Sequence, residues 1–373
     1  MKPPQFKVAI VVGTRPEAIK LAPVIKSLGQ SSLLETFTIL TWQHKEMVQQ
    51  VMNLFNLSAD YNLKIMREKQ TLTDITCNTL QGLETVFKQL TPNLVLIQGD
   101  TTTALAATLA AFYQQIPVGH VEAGLRTDNF YSPYPEEVNR RLISQLAQLH
   151  FAPTALAVEN LKKAQVLGNI YQTGNTVIDA LLEIVSRGCD EQSLPSIDWK
   201  QSRVLLVTVH RRENWGHPLE TIIKGLNLIL SKFPDVVILL PVHLNPKVRE
   251  PIKRFLGNHP QVVLTDPLNY QQLATVMEKS YLILTDSGGL QEEAPSLGKP
   301  VLVLRDTTER LEAITAGTAK LVGTDADRIF AATKELLQNP EAYNKMATKI
   351  NPFGNGQASK LIREAIENYL QSA

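Results

Sequence analysis

"KVAIVVGTRPEAIKLAPVIKSL", residues Lys7–Leu28, decides the fold, because an apolar run is followed by a helical pattern across one polar turn. Lys7–Gly13 is rich in valine and isoleucine, which predicts a strand buried on both faces of a parallel sheet. From Glu17 onward the apolar residues recur at helical spacing. A strand, a turn and a helix in this order open a βαβ unit.

The alternation continues along the chain and is interrupted once. The next predicted strands are FTILTWQ, NLVLIQGD, IPVGHVEAG, LHFAPT and NIYQTGN. Cys189–Ser202 is polar, contains a proline and lacks periodicity, which indicates a linker. A second set of strands follows: RVLLVTVH, VVILLPVH, QVVLTDP, YLILTDSGG, KPVLVLRD and AKLVG. We therefore predict an α/β protein with two Rossmann-like, doubly wound parallel-sheet domains, whose ligands bind where the strand C-termini of the two halves face each other.

The composition excludes several classes of protein. The chain has 373 residues, 44% of them hydrophobic and 20% charged, and a net charge of +1. No strong overall field attracts nucleic acid or an acidic membrane. Cys77 and Cys189 form neither a disulfide framework nor a zinc-ligand spacing. No apolar run has the length of a signal peptide or a membrane span. We expect a cytoplasmic protein of two domains.

Polar clusters follow the predicted strands in both halves of the chain. One such cluster is the ordinary polar exit of a strand, but their number favours a shared crevice over seven independent exits. They are GTRPE (Gly13–Glu17), WQH (Trp42–His44), GDTTT (Gly99–Thr103), HVEAG (His120–Gly124), TVHRREN (Thr208–Asn214), PVHLNP (Pro241–Pro246) and TDSGG (Thr285–Gly289).

Thr285–Gly298, TDSGGLQEEAPSLG, has the features of a phosphate-binding turn. Gly288 and Gly289 allow close approach of the backbone to a ligand, and N–H groups at a helix start suit a phosphate. Glu292 and Glu293 follow one turn later, where a carboxylate can reach a ribose diol. The alternative is a plain βα turn with Ser287 as N-cap. GTRPE is similar, since Arg15 and Lys20 direct cations at phosphates.

Several common motifs are missing from the sequence. It contains no G-x-G-x-x-G for a nicotinamide cofactor, no P-loop, no G-x-S-x-G and no H-E-x-x-H. His210 and His243 have no cysteine or carboxylate pair at ligand spacing. We therefore expect no cofactor and no metal site.

The ordered motifs resemble those of the non-hydrolysing UDP-N-acetylglucosamine 2-epimerases. The matching text spans Gly13–Ala313: GTRPEAIKLAPVI, QGDTTT, HVEAGLRT, YSPYPEEVNRR, TVHRREN, PVHLNP and TDSGGLQEEAPSLGKPVLVLRDTTERLEA. The resemblance implies a glycosyltransferase-B-like fold with the active site in the interdomain cleft. Its N-terminal domain would be 1–174, with a C-terminal helix 357–371 packing back on it, and its C-terminal, UDP-binding domain 175–356.

The same resemblance implies interconversion of UDP-GlcNAc and UDP-ManNAc, a homodimer and activation by UDP-GlcNAc. Such a product would serve cell-envelope polysaccharide synthesis. The C2 proton of the sugar is poorly acidic, and no redox cofactor is indicated. Elimination of UDP to 2-acetamidoglucal, followed by re-addition of UDP with a proton delivered to the other face of C2, is the remaining route. It needs bases on two faces of C2 and cations around the leaving pyrophosphate.

The stretch Gly119–Arg141, GHVEAGLRTDNFYSPYPEEVNRR, supplies acids for that chemistry. By the resemblance, Asp100 and Glu136 are the proton-transfer pair, and Glu122 lies near the intermediate. His210 assists departing UDP. Glu137, Arg140 and Arg141 form either a helix-face ion-pair network or part of the site, with the two interpretations equally weighted for the arginines. The substrate-binding residues implied are Arg15, Lys20, Ser287, Gly288, Gly289 and Glu293, with Glu293 on the ribose.

A regulatory site is also implied by the resemblance. Its residues are Gln43, His44, Glu46, Lys69, Gln70, Arg211 and His243. The sequence departs from the commonest family pattern at Trp42, at Glu46 and at Lys69, where many members have arginine. Lysine loses a forked phosphate contact, and a glutamate near phosphates repels them. Activation is therefore expected to be weak.

Three other functions stay open. A glycosyltransferase of the same fold would share the UDP turn but needs an acceptor site. A catalytically silent UDP-sugar sensor would not need Asp100, Glu122, Glu136 and His210 together. A hydrolysing epimerase would release free ManNAc. Nucleic acid and membranes are not expected partners.

Overall fold

The computed structural model describes residues 5–41, 45–65, 70–127 and 129–372. The chain divides into two compact units, Met1–Ala180 with Phe353–Ala373, and Leu181–Pro352. Each unit is a parallel α/β domain with its own sheet. Among the described residues, no helix is both long and apolar enough to cross a bilayer.

The first unit has a seven-stranded parallel sheet in the order β3-β2-β1-β4-β5-β6-β7. The strands are β1 (Phe6–Val12), β2 (Leu34–Leu40), β3 (Tyr61–Asn62), β4 (Leu94–Gln98), β5 (Val118–Val121), β6 (Leu149–Ala152) and β7 (Asn169–Gln172). The helices are α1 (Arg15–Gly29), α2 (Lys45–Leu54), α3 (Leu72–Leu90), α4 (Thr102–Tyr113), α5 (Glu136–Leu146) and α6 (Ala155–Lys163), and α7 (Thr176–Arg187) begins in this unit and continues past its boundary at Ala180. The strand order reverses between β1 and β4, which marks a topological switch point.

The second unit has a six-stranded parallel sheet in the order β10-β9-β8-β11-β12-β13. The strands are β8 (Arg203–Thr208), β9 (Val236–Pro241), β10 (Val262–Thr265), β11 (Leu282–Thr285), β12 (Val301–Val303) and β13 (Ala319–Leu321). The helices are α8 (His217–Lys232), α9 (Pro246–Leu256), α10 (Tyr270–Lys279), α11 (Gly288–Glu293), α12 (Leu311–Ala316), α13 (Ala326–Gln338) and α14 (Pro340–Ala347). Here the order reverses between β8 and β11.

The central strands are apolar because helices cover both faces of each sheet. All five residues of β4 are buried, and so are the last five of β1. Side chains that alternate between two covered faces must both be apolar, which explains the continuous runs of valine, leucine and isoleucine. Each predicted strand is present, and the prediction of two parallel-sheet domains is confirmed. The two-residue β3 is not among the predicted strands, because it has no apolar run of its own.

The last helix, α15 (Ala358–Ser372), belongs to the first unit and contacts α1. Its start is fixed by Asp179 of α7. The Asp179 carboxylate accepts hydrogen bonds from the backbone N–H groups of Ala358, at 3.2 Å, and Ser359, at 2.8 Å. A carboxylate at this position satisfies N–H groups that have no partner within the helix.

Candidate active site

In the first unit, polar side chains collect at the carboxyl ends of β1, β4 and β5, which are neighbours in the sheet. Glu17 of α1 braces two of these strand ends. Its Oε2 accepts from the N–H groups of Gly13 (2.6 Å) and Thr14 (2.7 Å), and its Oε1 accepts from the Thr101 hydroxyl (2.5 Å). Burial raises the pKa of Glu17. This carboxylate therefore holds the two turns of the switch point together.

Asp100 follows β4 by two residues and is held from α5. Its Oδ2 accepts from Nε of Arg140 at 2.9 Å and from Nη2 at 2.5 Å, while Asn139 donates to its backbone oxygen at 2.8 Å. The Asp100 side chain keeps 22% of its exposure. Burial raises the pKa of Asp100, and Arg140 opposes that rise. Asp100 is thus a partly accessible carboxylate with a strong cation on one oxygen.

Glu122 follows β5 and is surrounded by donors. Lys20 of α1 places Nζ 2.6 Å from both carboxylate oxygens, Asn175 donates to Oε1 at 3.2 Å, and Gln98 donates to Oε2. Its backbone φ is +65°, a conformation that a non-glycine residue adopts at a cost. The charge of Glu122 raises the pKa of Asp100. The two acids are therefore electrostatically coupled.

The segment before α5 is anchored by Glu137. This carboxylate is fully buried and accepts from Arg141 (Nε, 2.6 Å), Arg140 (Nη1, 3.3 Å) and the Thr127 N–H (2.9 Å). Glu136, one residue earlier, is half-buried and has no hydrogen bond or ion pair from its side chain to the rest of the described chain. The structure therefore separates the adjacent glutamates into one structural anchor and one available carboxylate.

His120 of β5 supports the turn that carries Asp100. Its Nε2 lies 2.8 Å from the carbonyl oxygen of Gly99, so that nitrogen donates and the ring is the Nε2–H tautomer. Burial lowers the pKa of His120 to about 3. The ring is therefore neutral at physiological pH and acts as a hydrogen-bond donor, not a charge.

Arg15, at the start of α1, is half-buried, and its side chain has no hydrogen bond or ion pair to the other described residues. Its guanidinium is thus available to a ligand. Lys20, the other cation predicted for a phosphate, is instead occupied by Glu122. The structure gives Lys20 a charge-balancing role that the sequence did not reveal.

In the second unit, Asp286 organises the loop after β8. It is 0% exposed, and its Oδ2 accepts from the N–H groups of His210 and Arg211, both at 2.9 Å, and from Asn214 Nδ2 at 3.0 Å. Nδ1 of His210 lies 3.0 Å from Oδ1. Burial alone would raise the pKa of Asp286, but bonding to His210 and these N–H groups lowers it. A carboxylate facing Nδ1 leaves Nε2 of His210 for a ligand.

Two arginines lie beside the Ser287–Gly289 turn. A Cβ placed on Gly288 would lie 3.6 Å from Nη2 of Arg211 and 3.5 Å from Cζ of Arg310. Nε of Arg211 is buried without a hydrogen-bond partner among the described residues. Arg310 is fixed by Glu292, with Nε 2.6 Å from Oε1. The following helix α11 has six residues, so the arginines, more than a helix dipole, make this turn attractive to an anion.

The two predicted ribose carboxylates differ in their surroundings. Glu292 is paired with Arg310, whereas Glu293 accepts a hydrogen bond from the hydroxyl of Tyr270 at 3.1 Å. Ser287 is the N-cap residue of α11 but makes no side-chain cap hydrogen bond. Its N–H donates instead to Thr285 Oγ1 at 2.9 Å. The Ser287 hydroxyl is therefore not committed to capping.

A pocket of about 280 Å³ opens between these loops of the second unit. Its walls are largely apolar with a few polar groups among them, as the walls of small-molecule sites commonly are. His243 lines it and stacks on His210, with ring centroids 6.2 Å apart. The pocket is lined by Thr208, Val209, His210, Pro241, His243, Pro267, Leu268, Leu273, Ser287 and Leu290.

The residues predicted for regulation are only partly placed. Glu46 is exposed in the first turn of α2, and Gln70 is half-buried just before α3. Arg211 and His243 lie in the second unit as described above. Gln43, His44 and Lys69 lie outside the described residues. Within the described part of the chain, no cluster of His, Cys, Asp and Glu has the form of a metal site.

Several residues of this arrangement carry no signal in the local sequence. Asp286 lies in the TDSGG cluster, but nothing in the local sequence indicates that it binds the loop after β8, and Arg310 is distant from its turn along the chain. Gln98, Asn175 and Tyr270 each bond a predicted acid from a remote position. The bond from Arg140 to Asp100 depends on the fold, because helix spacing alone indicates an ion pair within α5.

Comparison with known proteins agrees with the ordered motifs. Residues 26–367 match the family described as UDP-N-acetylglucosamine 2-epimerase. The UDP-N-acetylglucosamine 2-epimerase of Escherichia coli (strain K12) is 50% identical over 372 residues, covering 97% of this chain and 99% of that protein. The crystal structure of UDP-GlcNAc 2-epimerase from Neisseria meningitidis bound to UDP-GlcNAc matches with a TM-score of 0.86 at 48% identity, covering 97% of this chain and 100% of that one.

The fold is shared more widely. The glycosyltransferase of kitacinnamycin matches with a TM-score of 0.65 at 14% identity, over 99% of this chain and 100% of that chain. A sequence identity this low supports a shared fold and says nothing about a shared function. The predicted glycosyltransferase-B-like architecture is confirmed.

Proposed function

The chain belongs to the UDP-N-acetylglucosamine 2-epimerase family, and from that premise we propose that it interconverts UDP-GlcNAc and UDP-ManNAc. One observation carries the proposal most strongly. Asp100 and Glu122 end adjacent strands of one sheet, and each is held by a cation while Asp100 stays partly open. A partly open carboxylate beside a fixed one suits proton transfer at carbon, with stabilisation of the charge that develops and without a redox cofactor.

The reaction we propose is an elimination followed by re-addition. A carboxylate takes the C2 proton, the C1–O bond breaks, and its electrons leave with UDP as the C1=C2 bond forms. UDP then adds back to C1 while a second acid delivers a proton to the opposite face of C2. Both ends of the reaction are nucleotide sugars, so no hydrolysis occurs.

Asp100 and Glu136 are the proton-transfer pair in this proposal. Asp100 has Oδ2 bonded to Arg140, and no hydrogen bond to Oδ1 is found among the described residues. Glu136 is half-buried at the first position of α5. Each therefore has a carboxylate oxygen that a sugar can approach, which is the first requirement of a general base.

Glu122 has a different part, because its oxygens already bind Lys20, Gln98 and Asn175. A carboxylate held by so many donors is fixed in place. We assign it to orienting the sugar and stabilising positive charge that develops at C1 as UDP leaves. Lys20 balances its charge and is close enough to Asp100 to lower the pKa of that acid.

The second unit supplies groups for UDP. His210, oriented by Asp286, assists the departing phosphate through Nε2. Arg211 and Arg310 flank Gly288, where they offset the charge of a diphosphate, and Arg15 of the first unit is a further cation without a protein partner in the described chain. The apolar pocket suits a uracil ring, and Glu293 suits the ribose hydroxyls. That all these groups meet one substrate stays a prediction.

Activation by a second UDP-GlcNAc remains part of the proposal, with Gln43, His44, Glu46, Lys69, Gln70, Arg211 and His243 as its residues. Two contacts support a link between activation and catalysis. His243 stacks on His210, and Arg211 lies beside Gly288. An activator that bound His243 and Arg211 would therefore fix groups assigned to UDP. A homodimer is likewise proposed.

A proton NMR time course with UDP-GlcNAc in deuterated water tests the activity. We expect UDP-ManNAc to appear and deuterium to enter C2 of both nucleotide sugars. A glycosyltransferase or a silent sensor would leave C2 undeuterated. Free ManNAc with UDP as the main products would indicate a hydrolysing epimerase instead, and either result would overturn the proposal.

A further inference from the structure

Two consecutive residues of α5 hold Asp100 at two points. Asn139 donates to the Asp100 backbone oxygen at 2.8 Å, and Arg140 directs Nε (2.9 Å) and Nη2 (2.5 Å) to the same carboxylate oxygen, Oδ2. A guanidinium usually spreads its two N–H groups over both oxygens of a carboxylate. Here both reach Oδ2, so Oδ1 is turned away from the arginine.

Arg140 is itself fixed by the buried Glu137. Glu137 is 0% exposed, and its Oε2 lies 3.3 Å from Nη1 of Arg140. The neighbouring Arg141 bonds the same carboxylate through Oε1, at 2.6 Å, and its guanidinium also donates to the carbonyl oxygen of Thr127 instead of to Asp100. Arg140 and Arg141 are therefore a natural pair for comparison, because they share a helix, a side-chain type and a partner.

We propose that Arg140 is a positioning residue for Asp100, which holds Oδ2 so that Oδ1 faces the sugar as the proton-transferring oxygen. The inference rests on the proposed epimerase function and adds a residue to it. It also divides the two arginines that the sequence left undecided. Arg140 acts through Asp100, and Arg141 serves the segment before α5 through Glu137 and the carbonyl oxygen of Thr127.

The charges around Asp100 define how its pKa should respond to the loss of Arg140. The groups that face it are Arg140 of α5, Glu17 and Lys20 of α1, and Glu122 after β5. Burial raises the pKa of Asp100, and Arg140 is the largest influence that lowers it. Loss of the Arg140 charge should therefore move that pKa further upward.

The first test compares Arg140→Met with Arg141→Met in the deuterium assay, run from each nucleotide sugar. We expect Arg140→Met to lower kcat by about 10²-fold with KM changed by less than about threefold, as loss of orientation predicts. The limb of the pH–rate profile that reports the titration of Asp100 should move to higher pH. Arg141→Met should keep kcat within about threefold and leave the limb in place.

A double variant asks whether Arg140 acts through Asp100. In the Asp100→Asn background, Arg140→Met should lower the remaining rate by less than about threefold, because groups that act as a unit are not additive. A full 10²-fold loss in that background would show that Arg140 works elsewhere. Equal effects of the Arg140 and Arg141 variants, or an unmoved pH limb in Arg140→Met, would also overturn the inference.

Arg140→Lys keeps the charge and carries the test if Arg140→Met does not fold, as judged by circular dichroism. Lysine lacks the forked donors, so we expect a kcat loss of about tenfold with a smaller pH shift than for methionine. A lysine variant identical to wild type in rate and pH profile would refute the forked contact. If wild-type protein places no deuterium at C2, the proposed function itself fails, which is a distinct result.

Discussion

Asp100 and Asp286 follow corresponding strands of the two sheets, since β4 lies beside β1 in one and β11 lies beside β8 in the other. Their surroundings are opposite. Asp100 keeps 22% of its side-chain exposure and offers Oδ1, whereas Asp286 is fully buried and its Oδ2 accepts three hydrogen bonds. The pKa of Asp100 is raised by burial, and that of Asp286 is lowered because its hydrogen bonds outweigh burial.

The difference shows that one position in a doubly wound sheet can serve reactivity or construction. An aspartate with one oxygen free and a raised pKa is prepared to accept a proton. A fully buried aspartate that has three N–H donors on one oxygen and the His210 ring facing the other builds the loop and acts on chemistry only through His210. The number of donors around the carboxylate decides between these roles.

The largest expected effect is on Asp100. Replacing it with Asn should lower kcat by on the order of 10²–10⁴, the range for losing a general acid or base, while substrate binding stays nearly intact. Steady-state kinetics and calorimetric titration with UDP-GlcNAc measure the two quantities. Retention of more than a tenth of the wild-type rate would contradict the role of Asp100.

His210→Asn should be the next largest, with kcat lowered by about 10²-fold. Deuterium exchange at C2 should fall in parallel, because elimination couples C2–H loss to C1–O cleavage. NMR of exchange and of UDP release measures both events in one sample. Fast exchange at C2 without C1–O cleavage would indicate a carbanion mechanism and exclude elimination.

Asp286→Asn should weaken the fold, unlike Asp100→Asn. An amide nitrogen must face either the donors on Oδ2 or Nδ1 of His210, and an unpaired buried donor costs about 1–3 kcal/mol in free energy of unfolding. Chemical denaturation of the two variants in parallel gives the comparison. Similar stabilities for both would mean that Asp286 is not the structural member of the pair.

The same two variants should change the pH dependence of stability in opposite directions. The raised pKa of Asp100 means that the folded state binds its proton more tightly, so wild-type stability falls as pH rises above the ordinary aspartate value of about 4. The lowered pKa of Asp286 means that its stabilisation is present above about pH 4 and is lost as pH falls toward the folded-state pKa.

Asp100→Asn should therefore gain stability relative to wild type as pH rises, whereas Asp286→Asn should lose it. Denaturation midpoints between about pH 2 and pH 7 measure these slopes, with the Asp286 difference below about pH 4 and the Asp100 difference above it. Equal slopes for both variants would remove the distinction between the two carboxylates.

The smallest effect concerns regulation. If Lys69, Arg211 and His243 hold a second UDP-GlcNAc, the rate should rise sigmoidally with UDP-GlcNAc, and UDP-ManNAc alone should convert slowly until some UDP-GlcNAc is added. Coupling free energies are typically ~1–3 kcal/mol, which corresponds to several-fold activation or more. Lys69 and Glu46 should make this coupling weak, since lysine lacks a forked donor and the glutamate adds negative charge.

A strictly hyperbolic curve would show that Arg211 and His243 serve the substrate only. In that case Lys69→Arg with Glu46→Gln is the matched attempt to restore cooperativity. Failure of that double variant would mean that these two departures from the family pattern are not the cause.

The sequence by itself determined the succession of strands and helices along the chain, the two parallel sheets and the family. Parallel strands covered on both faces are continuous apolar runs, and their polar turns are local, so both are legible along the chain. GTRPE, GDTTT and TDSGG are recognisable as strand ends from the residues alone. Helix α1 begins at Arg15, with Pro16 in its first turn.

Only the tertiary structure decided which charges meet. Lys20 and Glu122 are 102 residues apart, Asp100 and Arg140 are 40 apart, and His210 and Asp286 are 76 apart along the chain. A side chain's partner depends on strand order and on how helices return across the sheet, and neither is encoded by local periodicity. For this reason the spacing of Arg140 fits a helix-face ion pair, and only the fold brings its guanidinium to the turn after β4, where it reaches the carboxylate that we assign to proton transfer.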